Sequence, residues 1–199
     1  PGVIHGRPPG VWPKTHVVAR TEVPFVGTDT VHFDLYSGAR SAVEHLIAQG
    51  CRRIAYLAQE LVHQPQRVRM QAYADALQEH GLEPTLISTG DAQDTYETGR
   101  SAVLAHGDVV QHLDALFCHN DELAVVGCDG IPVGPVVEPP LTTIYLPIAE
   151  MVECAFDLLF HRIENPRAPC SFVTFPTKLL VRASSLRLKP SPSQEDPQS

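Results

Sequence analysis

Apolar and polar positions along this chain fall into blocks that predict strands and helices in turn. Short continuous apolar runs are typical of strands that are buried on both faces of a parallel sheet. Such runs predict strands at residues 2–5, 16–19, 23–26, 54–58, 85–88, 115–118, 124–128, 141–144, 172–175 and 179–181.

Apolar residues that recur every three or four positions predict helices between those strands. The predicted helices cover residues 38–49, 65–80, 95–106 and 147–164. Their inward faces are Ala39, Ala42, Val43, Leu46 and Ile47 in the first, Val68, Ala72, Ala76 and Leu77 in the second, and Ile148, Met151, Val152, Ala155, Leu158, Leu159 and Ile163 in the last. The alternation of strands and helices predicts an α/β protein with a mainly parallel sheet.

One connection in this pattern is too short. Neighbouring parallel strands need a crossover of about 10–12 residues, but only residues 119–123 separate the strands predicted at 115–118 and 124–128. Two interpretations stay open. The chain either forms a hairpin that turns at Asn120 and Asp121, or lacks a crossover helix, which would leave a break at residues 123–125. The helix-start pattern after Asn120 favours the missing helix.

Polar side chains stand at the ends of both of these strands. Asn120 and Asp121 follow the first, and Asp129 ends the second. Functional residues of a parallel sheet emerge at the carboxyl ends of its strands, so these three are candidates for a ligand site, with helix capping as the alternative role. Arg67 and Arg69 lie near the start of a predicted helix, where a cation opposes the helix dipole. An anionic or hydroxyl-rich ligand would explain that placement, and two solvated arginines are the other interpretation.

Composition narrows the class of protein. The net charge of −8 argues against a nucleic-acid-binding surface on this chain. The cysteine count is five, an odd number without a CxxC pair, which indicates reduced thiols in a cytoplasmic protein rather than a disulfide framework. Cys118, His119 and Cys128 lack the spacing of zinc ligands, so we expect neither a metal nor a cofactor. No run approaches the roughly 20 apolar residues that span a membrane.

Catalytic motifs are missing from the sequence. It contains no GxGxxG, GxxxxGK[ST], GxSxG or HExxH pattern. Asp121 and Asp129 are the one carboxylate pair that could serve in acid–base chemistry, and capping or ligand hydrogen bonding explains both more simply. We therefore expect a binding protein and not an enzyme.

Several motifs in consistent order resemble the lactose-repressor-like (LacI/GalR) family of bacterial transcription regulators. They are His32-Phe33-Asp34 with Gly38-Ala39, Glu44-His45-Leu46, Gly50-Cys51-Arg52-Arg53-Ile54-Ala55, Phe117-Cys118-His119-Asn120-Asp121, Val125-Val126-Gly127-Cys128-Asp129, Pro139-Pro140-Leu141-Thr142-Thr143-Ile144 and Arg182-Ala183-Ser184-Ser185. The resemblance extends over about residues 16–185.

The resemblance implies a periplasmic-binding-protein-like fold of two Rossmann-like lobes with parallel sheets, joined by three short crossovers, with the ligand between the lobes. Its N-terminal lobe would hold residues 1–48 and 143–166 and be incomplete. Its C-terminal lobe would hold residues 49–142 and 167–185, and residues 186–199 would form a disordered tail.

The function implied by the resemblance is effector sensing in a cytoplasmic, homodimeric repressor that binds operator DNA through a separate N-terminal domain absent here. The effector would be a sugar or a sugar derivative. A solute-binding protein of a sugar transporter, with the same fold, is the alternative.

Matching the family motifs residue by residue implies that Arg67, Asn120 and Asp129 contact the effector. The chain departs from the family in lacking a helix between the Asn-Asp motif and Val-Val-Gly-x-Asp, in agreement with the short crossover. Ala92 stands where some sugar-binding relatives carry an aromatic residue, and Tyr96 is the candidate substitute.

Overall fold

The structure is a computed structural model that describes residues 17–19, 28–58, 64–90, 96–121 and 126–186. Its backbone divides into two units. The smaller unit combines the segment that ends at Asp34 with residues Pro147–Pro176, and the larger unit combines Leu35–Leu146 with the segment that begins at Thr177. The chain therefore passes from one unit to the other three times, as the resemblance implies.

The helices and strands follow one another in the predicted alternation. In chain order they are β1 (Val17–Ala19), β2 (Asp29–Phe33), α1 (Leu35–Ala48), β3 (Ile54–Ala58), α2 (Gln64–Glu79), β4 (Thr85–Ser88), α3 (Tyr96–Ala105), α4 (Gly107–Val110), β5 (Ala115–Cys118), β6 (Val126–Asp129), β7 (Thr142–Tyr145), α5 (Ile148–Glu164), β8 (Phe172–Phe175) and β9 (Lys178–Leu180). The α/β fold class with parallel sheets is confirmed.

The larger unit is built on a six-stranded sheet in the order β4-β3-β5-β6-β7-β9. All neighbouring pairs are parallel except β7 with β9, which is antiparallel. The chain runs from β3 outward to β4 and then back to β5 on the other side of β3. This reversal is the topological switch point at which open α/β sheets bind ligands, outside the carboxyl ends of the strands.

Helices α1 and α2 cover one face of this sheet because each has a continuous apolar stripe. All five predicted inward residues of α1 are buried, and Gly50, with φ of 86°, follows the helix as a terminating residue. In α2 the stripe includes Ala72, Tyr73 and Ala76. Tyr73 stacks on Tyr56 of β3 with ring centroids 5.5 Å apart, and its hydroxyl donates to Ile54 O.

The opposite face of the sheet carries a second apolar cluster. Strand residues Leu57, Ile87 and Cys118 are buried there, together with Ala102 of α3. Successive side chains of a strand point to opposite faces, so β3 supplies Tyr56 to one core and Leu57 to the other. Burial on both faces explains why the strands read as unbroken apolar runs.

The smaller unit has a three-stranded parallel sheet in the order β1-β2-β8, against which α5 packs. An ion pair joins the helix to the sheet: Arg162 Nε and Nη2 donate to the two carboxylate oxygens of Asp29 at 2.8 and 2.9 Å. Both side chains are buried, so this bidentate bond holds α5 at a fixed position on β2.

The predicted inward face of α5 is only partly correct. Of its seven residues, Met151 is buried and Ala155, Leu158 and Leu159 are half-buried, whereas Ile148, Val152 and Ile163 are exposed. Apolar periodicity identifies which residues share a helix face. How much of the apolar face of α5 is covered depends instead on the segments that pack against it.

The connection between β5 and β6 has a definite pairing. Phe117 and Val126 are partners in a parallel ladder, so the hairpin interpretation is wrong, because a hairpin would be antiparallel. The break predicted at residues 123–125 lies outside the described residues, as do the strands predicted at 2–5 and 23–26 and nearly all of the predicted tail.

The two units divide the chain at positions that differ from the lobe boundaries given above. Helix α1 lies in the larger unit because it packs on α2 and against β7, where Gly38 approaches the side chain of Ile144. Strand β8 lies in the smaller unit because it pairs with β2. Both assignments depend on contacts between segments far apart in the chain, which sequence motifs do not report.

Two further properties bear on the class of protein. The five cysteines all lie in described residues, and no disulfide joins any two of them. Among the helices that the structure describes, none is both long enough and apolar enough to cross a membrane.

Candidate functional site

The candidate site lies at the carboxyl edge of the six-stranded sheet. Strands β3 to β6 run in one direction, so the residues that follow them collect along this edge. Asp129 is the last residue of β6, and Asn120 and Asp121 follow β5 beside the switch point. The structure therefore brings these three predicted residues to one edge of one sheet.

Asn120 carries an enclosed polar atom. It is half-buried, and its Oδ1 atom is enclosed without a hydrogen-bond partner in the described structure. A buried acceptor left without a donor costs about 1–3 kcal/mol. A bound hydroxyl or amine would remove that cost.

Asp129 is held in an uncommon backbone conformation. Its φ is 131°, a left-handed value that a residue with a side chain rarely adopts. Such strain costs about 1–3 kcal/mol, persists only where the surroundings enforce it, and clusters at functional sites. It lies here at the end of a strand, on the residue predicted to bind the effector.

Arg69 of α2 is a buried charged residue next to β6. It is only 6% exposed, its Nη1 lies 3.9 Å from Cys128 Sγ, and its Nε has no hydrogen-bond partner. Burial acts to lower the pKa of Arg69, but the neighbouring Cys128, Tyr56 and Asp129 outweigh it and raise that pKa. Arg69 is therefore a buried cation whose charge is stabilised in part by Asp129.

Arg67, by contrast, is exposed and shares a shallow surface depression with Met70, Gln71 and Ala74. Two residues of a helix correspond to a rotation of about 200°, so Arg67 and Arg69 occupy nearly opposite sides of α2. Of the two, Arg69 is the one that lies buried on the side of α2 facing the sheet.

The sequence contained a signal for Arg69 that motif matching missed. Arg69 precedes Ala72, Tyr73 and Ala76 by three, four and seven positions, which places it on the buried stripe of α2. An arginine in an apolar stripe needs a polar partner in the interior.

Tyr56 is a second residue that sequence reasoning missed. Its side chain lies fully buried between Tyr73 and Phe117, at 5.5 and 5.4 Å between ring centroids. Burial raises its pKa to about 12 although Arg69 acts in the opposite direction. The neutral phenol forms one wall around the guanidinium of Arg69.

Metal binding has no support at this edge. Within the described segments, no group of three or more His, Cys, Asp and Glu side chains could hold a metal ion. His119 is buried and contacts Leu57 O through its Nδ1 at 3.3 Å. Position 92 and the side chain of Tyr96, considered above for sugar stacking, lie outside the described part of the chain.

Comparison with known proteins gives the family context. A family model described as a periplasmic binding protein-like domain matches residues 43–185, which is more than half of the chain. The HTH-type transcriptional repressor CytR of Escherichia coli K12 is 29% identical over 193 residues, covering 86% of this chain and 56% of that protein. The chain thus spans about half the length of such curated relatives.

Solved structures agree with this match. A LacI family transcriptional regulator from Enterococcus faecium with bound ribose superimposes with a TM-score of 0.78 at 23% identity, covering 87% of this chain and 71% of that one. The transcriptional regulator CelR in complex with cellobiose gives a TM-score of 0.73 at 26% identity, covering 84% and 58%. Both proteins therefore share the fold of this chain.

Proposed function

The chain belongs to the family of periplasmic-binding-protein-like domains and resembles the effector-binding part of LacI-family regulators, and on that premise we propose that it senses a small carbohydrate for a DNA-binding transcriptional repressor. The regulator would act in the cytoplasm as a homodimer and contact operator DNA through a separate N-terminal domain. The chain would bind its ligand without turning it over.

The observation that carries this proposal is the presence of a buried arginine and a strained aspartate at the carboxyl edge of the sheet. Arg69 offers an unpartnered Nε, Asn120 an unpartnered Oδ1, and Asp129 a carboxylate. A sugar carries hydroxyls that both donate and accept, so it matches a mixed set of donors and acceptors. A purely anionic ligand would leave the carboxylate of Asp129 opposing it.

Each residue has a distinct role in the proposal. Asp129 accepts hydrogen bonds from hydroxyls, and Arg69 donates to a neighbouring oxygen from its planar fork. Asn120 presents one acceptor and two donors. Binding would stabilise one conformation of the domain over another, and that difference in affinity would shift DNA binding of the full-length regulator.

The transporter alternative has the same fold and is distinguished by what the gene encodes before residue 1. A basic helix-turn-helix there supports the regulator, and a secretory signal peptide supports the solute-binding protein. The relatives and structural neighbours described above are transcription regulators, which favours the first outcome.

A direct test titrates this chain with D-ribose and with cellobiose by calorimetry. Arg69→Lys keeps the charge but removes the fork, so we expect about ten- to a hundred-fold weaker sugar binding. Arg67→Lys is the matched control two residues away, and it should bind like the wild type. Loss of affinity in the Arg67 variant alone would return the role to Arg67, and absence of heat with both sugars in the wild type would contradict a carbohydrate effector of either kind.

A further inference from the structure

Asp121 lies at the same edge of the sheet as Asp129, but its carboxylate is hydrogen-bonded to other residues of the protein. It is buried at 6% exposure, and both of its carboxylate oxygens accept hydrogen bonds. Oδ1 accepts the hydroxyl of Thr143 at 2.5 Å, and Oδ2 accepts the backbone N–H of Ile131 at 2.8 Å. Its partners therefore belong to β7 and to the turn that follows β6.

Thr143 extends this contact back to the turn. Its Oγ1 accepts the backbone N–H of Gly130 at 3.2 Å while donating to Asp121. The side chain is fully buried and belongs to β7, the neighbour of β6. One carboxylate and one hydroxyl thus hold the two consecutive N–H groups directly after Asp129.

The turn leaves little freedom for another arrangement. Gly130 has φ of 71°, and a Cβ there would stand 3.0 Å from Tyr145 Cδ2 and 3.2 Å from Tyr145 Cα. On the other side, Asp129 is fixed by the ladder of β6 with β7, in which it pairs with Tyr145. The backbone of Asp129 is therefore restrained both before and after its Cα.

We propose that Asp121 and Thr143 are positioning residues that hold Asp129 in its left-handed conformation and so direct its carboxylate at the ligand. We call the hydrogen bonds from Gly130 and Ile131 to Thr143 and Asp121 the clamp. Asp121 follows β5, Asp129 ends β6 and Thr143 belongs to β7, so the clamp joins three adjacent strands. This inference rests on the proposed function in one respect, that Asp129 contacts the effector.

The alternative role for Asp121 is general stabilisation of the fold, and the chain offers a matched residue for it. Asp114 lies at the amino edge of the same sheet, where its Oδ2 accepts the N–H groups of Arg52 and Arg53 at 2.9 Å each. Asp114→Asn disturbs a comparable carboxylate that binds two chain groups, at the end of the sheet away from the candidate site.

The first arm of the test needs no ligand. Amide hydrogen exchange of Gly130 and Ile131 is measured in the wild type, Asp121→Asn, Thr143→Val, Thr143→Ser and Asp114→Asn. We expect exchange about tenfold faster or more in Asp121→Asn and Thr143→Val, near-wild-type exchange in Thr143→Ser because it keeps the hydroxyl, and no local change in Asp114→Asn. Unchanged protection of both amides in Asp121→Asn and Thr143→Val overturns the clamp.

The second arm measures binding of D-ribose and cellobiose in a double-mutant cycle. If Thr143, together with Asp121, acts through Asp129, Thr143→Val weakens binding about tenfold in the wild type but adds little once Asp129→Ala is present. An equal loss in both backgrounds overturns the positioning role. If neither sugar binds the wild type, the carbohydrate proposal fails by itself, and the exchange data still decide whether the clamp exists.

Discussion

At the scale of single residues, Asp129 is the strained residue of the candidate site. Its φ of 131° suits glycine far better than aspartate. The structure holds this conformation through contacts on both sides of the residue, so the cost is local and the carboxylate orientation is the gain. Strain of this kind lowers the stability of the fold at a position where it would favour ligand binding.

That trade-off gives a prediction with two variants. Asp129→Ala removes the carboxylate but keeps the strained backbone, so sugar binding should weaken by about 1–3 kcal/mol while the melting temperature of the unliganded protein stays nearly unchanged. Asp129→Gly removes both, so it should bind as weakly as the alanine variant and be more stable than it by about 1 kcal/mol. Thermal melts with and without D-ribose and cellobiose measure both quantities.

Two results would contradict this account of Asp129. An alanine variant that melts far below the wild type but keeps its ligand-induced shift would identify Asp129 as a structural residue. A glycine variant less stable than the alanine variant would show that the backbone is not strained.

At the scale of elements, α1 is fitted closely to the sheet through Gly38. A Cβ at this position would collide with Thr177 Oγ1 and stand 2.9 Å from Ile144 Cγ2. Glycine inside a helix normally costs about 1 kcal/mol relative to alanine. Its presence here is explained by the approach of α1 to β7 and to Thr177.

Replacing that glycine should reverse the usual preference. We expect Gly38→Ala to destabilise the larger unit by about 1–3 kcal/mol through overpacking. Gly107→Ala at the start of α4 is the control, since a Cβ there meets nothing within 4 Å, and it should be neutral or slightly stabilising. Urea-induced unfolding of the two variants checks the difference, and equal midpoints would contradict the close fit.

The ion pair between β2 and α5 makes the smaller unit sensitive to acid. The hydrogen bond from Arg162 lowers the pKa of Asp29 below its ordinary value of 3.8, against the opposing effect of burial. A group with a lowered pKa contributes stability that is complete above its unfolded-state pKa and is lost as the pH falls through its folded-state pKa. The contribution of Asp29 should therefore be full at neutral pH.

The corresponding variant is Asp29→Asn. We expect it to melt below the wild type at pH 7 and the difference to shrink progressively below about pH 4. Glu79→Gln, which breaks the exposed pair with Arg40, is the control and should change the melt little at any pH. A difference between Asp29→Asn and the wild type that persists undiminished at about pH 2 would count against this role.

At the scale of the whole molecule, the charge of −8 governs what the chain can bind unaided. Non-specific affinity for DNA comes from clustered Lys and Arg that neutralise phosphates. This chain has 15 such residues against 23 acidic ones, and Arg40, Arg53, Arg69 and Arg162 are engaged with acidic or buried partners. DNA binding in the proposed regulator would therefore need another domain.

We accordingly expect this chain not to bind duplex DNA by itself. Gel-shift titration with random duplex at low salt checks the expectation, because electrostatic attraction is strongest there. Retarded bands at low micromolar protein that disappear as salt is added would contradict it.

Much of the fold was determined by the sequence alone, because the pattern of apolar residues is a local property. Strands β3, β4 and β8 have the bounds that their apolar runs predict, and the buried stripe of α1 is the predicted one. Asn120 and Asp129 lie at strand ends as expected, because that expectation needs only the position of each strand.

The tertiary structure decided everything that depends on which distant segment packs where. It buried Arg69 and left Arg67 exposed, because the two residues lie on nearly opposite sides of α2. It gave Asp121 partners 10 and 22 residues further along the chain, Ile131 and Thr143. It also made the β5–β6 pair parallel. Local periodicity tells which residues are buried together, whereas the identity of their partners is set by strand order and helix placement, which are non-local.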